Sequence, residues 1–200
     1  MPLADTFKEF SELLGERLGL GVCTTEDSIR YTFYTALLSS GRFRHTDVIL
    51  EHPHPVISGA KIDTIIRGVH DRQPVAVEFK YDRANPGGKN QNKTHRAGAV
   101  VNDIFRLARI PNSLATVRYF VYVTDAEMAG YFRNPSNRLE DLFDVSGPAR
   151  FALNPSVFSR FPKTFVTCIE SLACDCQVRS VFAADLPVNH HVRAFEVLTV

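Results

Sequence analysis

Two runs with the character of β-strands carry charge in their interiors. Asp63 lies within Ile62-Asp63-Thr64-Ile65-Ile66, and Glu78 and Lys80 lie within Val75-Ala76-Val77-Glu78-Phe79-Lys80. Side chains alternate faces along a strand, so Glu78 and Lys80 point one way while Val75, Val77 and Phe79 point the other. Fourteen residues separate Asp63 from Glu78. The short turn from Gly68 to Gln73 would set the two strands side by side, so that both carboxylates approach one point. Two hard oxygen ligands at one point suit a divalent cation such as magnesium. Lys80, on the same face as Glu78, would place an ammonium where it can hold or activate a water for attack on a phosphodiester. The competing reading is a solvent-facing sheet edge on which charges simply alternate with core residues.

Elements on either side must position these groups. Phe7, Phe10, Leu13, Leu14 and Leu18 keep helical spacing over residues 4 to 18, and Gly19 and Gly21 end that run. A second helix begins at Thr24 or Thr25, with an apolar stripe of Ile29, Phe33 and Leu37. Glu26 extends this stripe and is expected to face inward, whereas Asp27 falls off it. Strands are expected over residues 47–51, 61–67 and 74–81 as an antiparallel meander. A helix over about 92–110 follows, with a stripe of Ala97, Val100, Val101, Ile104, Leu107 and Ala108, and Pro111 stops it. The almost continuously apolar run 117–124 reads as a buried strand paired in parallel after that crossover helix. Beyond it lie a short helix at 128–132, a stretch rich in Pro, Asn and Ser, and strand-like runs at 164–169, 178–183 and 192–200. These runs could extend the sheet or form a hairpin around Pro187 to His191.

At these residues the chain resembles the PD-(D/E)XK nuclease superfamily. Ile62-Asp63 stands for the first part of the pattern and Glu78-Phe79-Lys80 for the second, and Ile62 replaces the proline of the name. The resemblance implies an α/β fold with a restriction-endonuclease-like mixed-sheet core: helix, three-strand antiparallel meander, crossover helix and fourth strand. That core spans about residues 24–125 of a single domain over 1–200, with 126–200 as a C-terminal strand elaboration. It also implies a magnesium site, with manganese as a substitute, held by Asp63, Glu78 and the Phe79 carbonyl. Lys80 serves the attacking water, and Glu26 on the preceding helix joins the catalytic set. The activity implied is metal-dependent hydrolysis of DNA, of the restriction or defence kind. A catalytically silent nucleic-acid-binding subunit and a structure-specific resolvase or repair nuclease are the alternatives.

A second cluster bears on the partner. Residues 83 to 109 contain Arg83, Lys89, Lys93, Arg96, Arg106 and Arg109 against the single acid Asp103, although the whole chain has 23 basic and 22 acidic residues. Arg83, Lys89, Gln91, Lys93 and Arg96 are therefore the expected contacts to the phosphates of double-stranded DNA. An ordinary solvated helix face is the other reading. A homodimer is compatible with this partner.

Composition limits the remaining choices. At 200 residues, 44% hydrophobic and 22% charged, the chain suits one globular unit with a sizeable core. Met1-Pro2-Leu3-Ala4-Asp5 has none of the basic and apolar regions of a signal peptide, and no run approaches the roughly 18 apolar residues of a membrane span. A cytoplasmic location without membrane attachment is expected. Cys168, Cys174 and Cys176 form no metal-binding pattern and read as small buried residues. His52 and His54, set between prolines, lack the further ligands a zinc site needs, and Glu51 could be an accessory acid.

Overall fold

A computed structural model describes residues 3–68, 72–84, 92–143 and 151–199. Helix α1 (Ala4–Gly19) is followed by α2 (Glu26–Ser39), strands β1 (Val48–Pro53), β2 (Lys61–Ile66) and β3 (Val75–Asp82), helix α3 (Lys93–Ala108) and strand β4 (Val117–Asp125). The chain continues through α4 (Ala126–Arg133), α5 (Glu140–Phe143), β5 (Phe151–Leu153), α6 (Pro155–Phe158), α7 (Lys163–Ile169), β6 (Cys176–Leu186) and β7 (His190–Thr199). This is an α/β fold built on one mixed seven-stranded sheet in the order β1-β2-β3-β4-β7-β6-β5.

The meander expected from the sequence is present: β1 pairs antiparallel with β2, and β2 antiparallel with β3. After the crossover through α3, β4 pairs parallel to β3 along its whole length, from Val75↔Val117 to Asp82↔Thr124. The hairpin expected near Pro187 joins β6 to β7, and β7 returns antiparallel against β4. Each face of the sheet carries its own core. Helices α1 and α2 cover Ile66, Val75, Val77, Phe79, Tyr119 and Val121. Helix α3 and the C-terminal helices cover Ala76, Phe120, Tyr122 and Val178. No helix among the described residues is long and apolar enough to cross a membrane.

One expected element is wrong in kind. Residues 164–169, rich in β-branched side chains, form helix α7 and not a strand. Phe165 and Ile169, four apart, are both buried there, and the helix lies against α3 at Gly98. A Cβ at Gly98 would stand 2.9 Å from the Cys168 Cβ and 3.0 Å from the Phe165 carbonyl oxygen. A close helix–helix seat of this kind outweighs a modest strand propensity.

His54 shows how a short loop is fixed beneath the sheet edge. Its Nδ1 accepts from the backbone N–H groups of Val56 (3.2 Å) and Ile57 (3.1 Å), and its Nε2 lies 3.1 Å from the Arg106 carbonyl oxygen. Only the neutral tautomer with hydrogen on Nε2 satisfies all three contacts. Burial also pushes the His54 pKa below its ordinary value. The folded state therefore binds fewer protons than the unfolded one between the depressed and the ordinary value, and His54 contributes stability that is lost as pH falls through that window. Long-range ¹⁵N–¹H spectra at neutral pH should show the Nε2–H pattern, with titration displaced below about 6.5. An Nδ1–H pattern would contradict this loop geometry.

Candidate active site

The chemistry-bearing residues meet where β2 and β3 part. The ladder between these strands runs from Ile66↔Val75 to Thr64↔Val77, and the next residues along are Asp63 and Glu78. The Asp63 carboxylate turns to accept the Phe79 N–H at 2.8 Å, and its other oxygen accepts from Arg30 Nη1 at 3.1 Å. Arg30 reaches it from α2, one helical turn beyond Glu26. Thr25 fixes the start of α2 by accepting the Ser28 N–H, while the Ser28 hydroxyl accepts the Thr25 N–H.

Glu78 is fully buried beneath α3. One carboxylate oxygen accepts from Arg106 Nη2 at 2.7 Å, and the other is buried with no partner among the described residues. Desolvation, and next the nearby Asp63 carboxylate, hold the Glu78 carboxyl well above the usual carboxylate range, against the pull of Arg106. The Asp63 carboxylate is thus close enough to disfavour the charged form of Glu78.

Lys80 lies 3.8 Å from Asp103 and 4.0 Å from Glu26. Burial is the largest influence on its ammonium and favours the neutral form, but Asp103, Glu26 and Asp82 together outweigh it, so its pKa is raised. Lys80 is a held cation: it can donate to a water but cannot take its proton. Glu26 reaches the site as expected, although its carboxylate accepts from the Tyr81 N–H at 3.0 Å. Phe79 contributes only its backbone here, because its ring is packed edge-on against Phe33 on the opposite face, with centroids 5.0 Å apart. Glu51, in a left-handed conformation at φ 52°, bridges Lys61 and Arg30 at the rim and meets Asp63 only through Arg30.

Three members of the constellation were not singled out from the sequence: Arg30, Asp103 and Arg106. Asp103 pairs with Arg106 at 3.4 Å as well as with Lys80, and burial raises its carboxyl pKa. The signal was available, since Asp103 stands three residues after the buried Val100 and is the single acid of a basic helix. Arg30 and Arg106 share their helix faces with Glu26 and Asp103 at spacings of four and three.

The expected phosphate-binding face needs correction. Arg96 is buried, bonded to Asp82 at 3.3 Å, and Asp82 also accepts from the Tyr122 hydroxyl at 3.0 Å, so Arg96 is part of the interior and offers no surface to a nucleic acid. Arg106 is committed to Glu78 and Asp103, and Arg109 donates to the carbonyls of Leu172 and Ala173. Lys93 is exposed but pairs with Glu127 at 3.2 Å. Arg83 is exposed, its guanidinium 6.0 Å from the centre of the Tyr81 ring. Lys89 and Gln91 lie outside the described residues. Two of these charges, Arg96 and Arg106, neutralise the sheet acids Asp82 and Glu78.

Among the described residues, no group of three or more His, Cys, Asp or Glu side chains is disposed to hold a metal ion. Magnesium, however, commonly keeps several waters and takes only one or two protein carboxylates. Asp63 and Glu78 fit that demand: both donors are hard oxygens, their charges oppose each other, and one buried Glu78 oxygen has no partner among the described residues. Comparison with family models, curated proteins and solved structures finds no match for this chain.

Proposed function

We propose that the chain is a magnesium-dependent nuclease of the PD-(D/E)XK kind with a restriction-endonuclease-like core, acting on duplex DNA. The observation that carries this reading is the approach of Asp63 to Glu78, the latter fully buried with one oxygen unpartnered among the described residues, beside a lysine held by two further acids. The run α2, β1, β2, β3, α3, β4 also follows the order that the resemblance implies. Asp63 and Glu78 would hold the cation, which would polarise the phosphate and offset charge on the leaving oxygen. Lys80 donates a hydrogen bond from Nζ to the attacking water and so fixes its oxygen. Glu26 and Asp103 keep that ammonium charged and restrict where it points. Arg106 offsets the buried charge of Glu78 in the metal-free protein.

The silent binding subunit is the second reading, and one observation favours it: both carboxylates already have arginine partners, Asp63 with Arg30 and Glu78 with Arg106. The two readings separate on metal binding and on cleavage. Under the nuclease reading, calcium or magnesium at a hundredfold excess over Kd stabilises the fold by about 2.7 kcal/mol, read as a rise in Tm. The Asp63→Asn, Glu78→Gln double variant should lose that rise. Supercoiled plasmid, linear duplex, branched DNA and RNA are incubated with the wild type, with and without magnesium; duplex cleavage only with magnesium is expected. A wild type that binds DNA but neither responds to metal nor cuts is the silent subunit.

A further inference from the structure

With Arg96 and Arg106 of α3 committed to acids of the sheet and Lys93 to Glu127, exposed positive charge among the described residues is found elsewhere. A cleft of about 260 Å³ opens between the end of α4 and the segment leading into α7, lined by Tyr131, Ser136, Arg138, Arg160 and Phe161. Arg138 and Arg160 are both exposed, and among the described residues neither has a carboxylate partner, in contrast to Lys93, Arg96 and Arg106. Arg138 closes a short 3-10 turn with φ 54°, a conformation that costs a non-glycine residue energy and is kept where the surroundings enforce it.

The cleft walls are aromatic and anchored. The Tyr131 hydroxyl lies 3.0 Å from the Thr94 hydroxyl, and the Phe161 ring packs against Phe165 and Phe158 with centroids 4.8 and 5.2 Å apart. Two guanidinium groups without a carboxylate partner among the described residues, lining one cleft with fixed aromatic rings, match an anion with an attached π-face, which is the chemistry of a nucleic-acid strand. The cleft is smaller than the roughly 300–1,000 Å³ of a site that encloses a whole small ligand, so it suits one segment of a longer polymer lying across it. Lys163, two residues beyond Phe161, lines a second hollow with His95 of α3, which prolongs the basic track toward the helix that carries Asp103 and Arg106.

We infer that the Arg138–Arg160 cleft is a phosphate-binding surface for the backbone of the nucleic-acid substrate. It is a contact from the C-terminal third of the chain, and it rests on the nuclease reading for the identity of its ligand. The test measures fluorescence anisotropy of a labelled duplex and a labelled single strand with the full chain in calcium, over a range of salt. For Arg138→Ala/Arg160→Ala, affinity should fall about tenfold or more, and the slope of log affinity against log salt should become shallower by about 2 on duplex or about 1.4 on single strand. Lys8→Ala/Arg67→Ala removes two exposed cations elsewhere and should change the slope much less. The calcium-induced rise in Tm should persist in the cleft variant, because Asp63 and Glu78 are untouched.

An unchanged slope, or an equal change in the control variant, overturns the cleft while leaving the nuclease reading to the cleavage assay. A wild type that binds neither probe overturns it as well. A shallower slope in a protein that cuts nothing keeps the cleft and removes the nuclease. Adenosine monophosphate and inorganic phosphate serve as competitors; displacement of the oligonucleotide at roughly micromolar nucleotide would make the cleft a nucleotide pocket and overturn the strand reading.

Discussion

On the nuclease reading, Lys80→Ala is expected to lower single-turnover cleavage of duplex DNA by about 10²- to 10³-fold, the usual contribution of one preorganised hydrogen-bond donor, and to leave duplex affinity in calcium within about twofold. The asymmetry follows from the surroundings of the ammonium. Lys80 sits between Asp103 and Glu26, mostly withdrawn from solvent, and is too enclosed to act as a general phosphate anchor. Its positive charge is kept by those acids, so on the nuclease reading its part is to orient a water by donation. Lys80→Arg keeps the charge but spreads it over a broad planar fork where a compact ammonium stood, and it should recover little. Cleavage in magnesium and anisotropy in calcium, measured on the same preparations, decide the matter. Parallel loss of both quantities would make Lys80 a substrate-binding residue and remove the mechanism given above.

Arg106→Gln destabilises the metal-free protein by about 3 kcal/mol near pH 8. The substitution leaves Glu78, which has no exposure, without its one charged partner. The loss stays at the lower end of the range for a broken buried pair, since Glu78 can escape by taking up a proton. That escape sets the pH dependence. Glu78 already titrates above the ordinary carboxylate range because of burial and Asp63, and removal of Arg106 raises it further. A carboxyl with a raised folded pKa gives stability that is present below the unfolded value and is lost as pH rises through the folded one. The difference between variant and wild type should therefore be small near pH 4.5 and grow toward pH 8. Urea denaturation at both ends of that range would display it. Calcium should restore much of the lost stability, and the variant should bind calcium more tightly than the wild type, because the guanidinium no longer competes for Glu78. A penalty that is independent of both pH and calcium would mean that Arg106 acts through packing alone.

The sequence carried the local parts of this site well and the non-local parts poorly. Thr25 as a cap and the period-two alternation of Val75 to Lys80 are determined by neighbours, and the pairing of two consecutive strands brings Asp63 toward Glu78. Arg96 was misplaced because charge was read as exposure. Its spacing to Val100, Asp103 and Leu107 puts it on the inward face, but the acid that makes burial tolerable, Asp82, lies on another element. Arg30 and Arg106 were passed over for the same reason, since the value of a counter-ion depends on which buried acid it meets. Residues 164–169 misled through their β-branched content; the deciding contact, Gly98 against Cys168, joins positions seventy residues apart.

That contact alters what counts as the smallest working unit of the molecule. Helix α3 holds Asp103 and Arg106 over the sheet with one side, and with another it is clasped by α7 at a point too tight for any side chain on residue 98. The orientation of the helix, and with it the stance of two charges beside Glu78, is thus set partly by residues far downstream of β4. A fragment ending at β4 would retain Asp63, Glu78 and Lys80 and still lose the buttress that aims their neighbours. Helix α7 is consequently no appendage to a self-sufficient core. It braces the helix that carries Asp103 and Arg106, and a fragment meant to keep those two charges in place beside Glu78 has to include it.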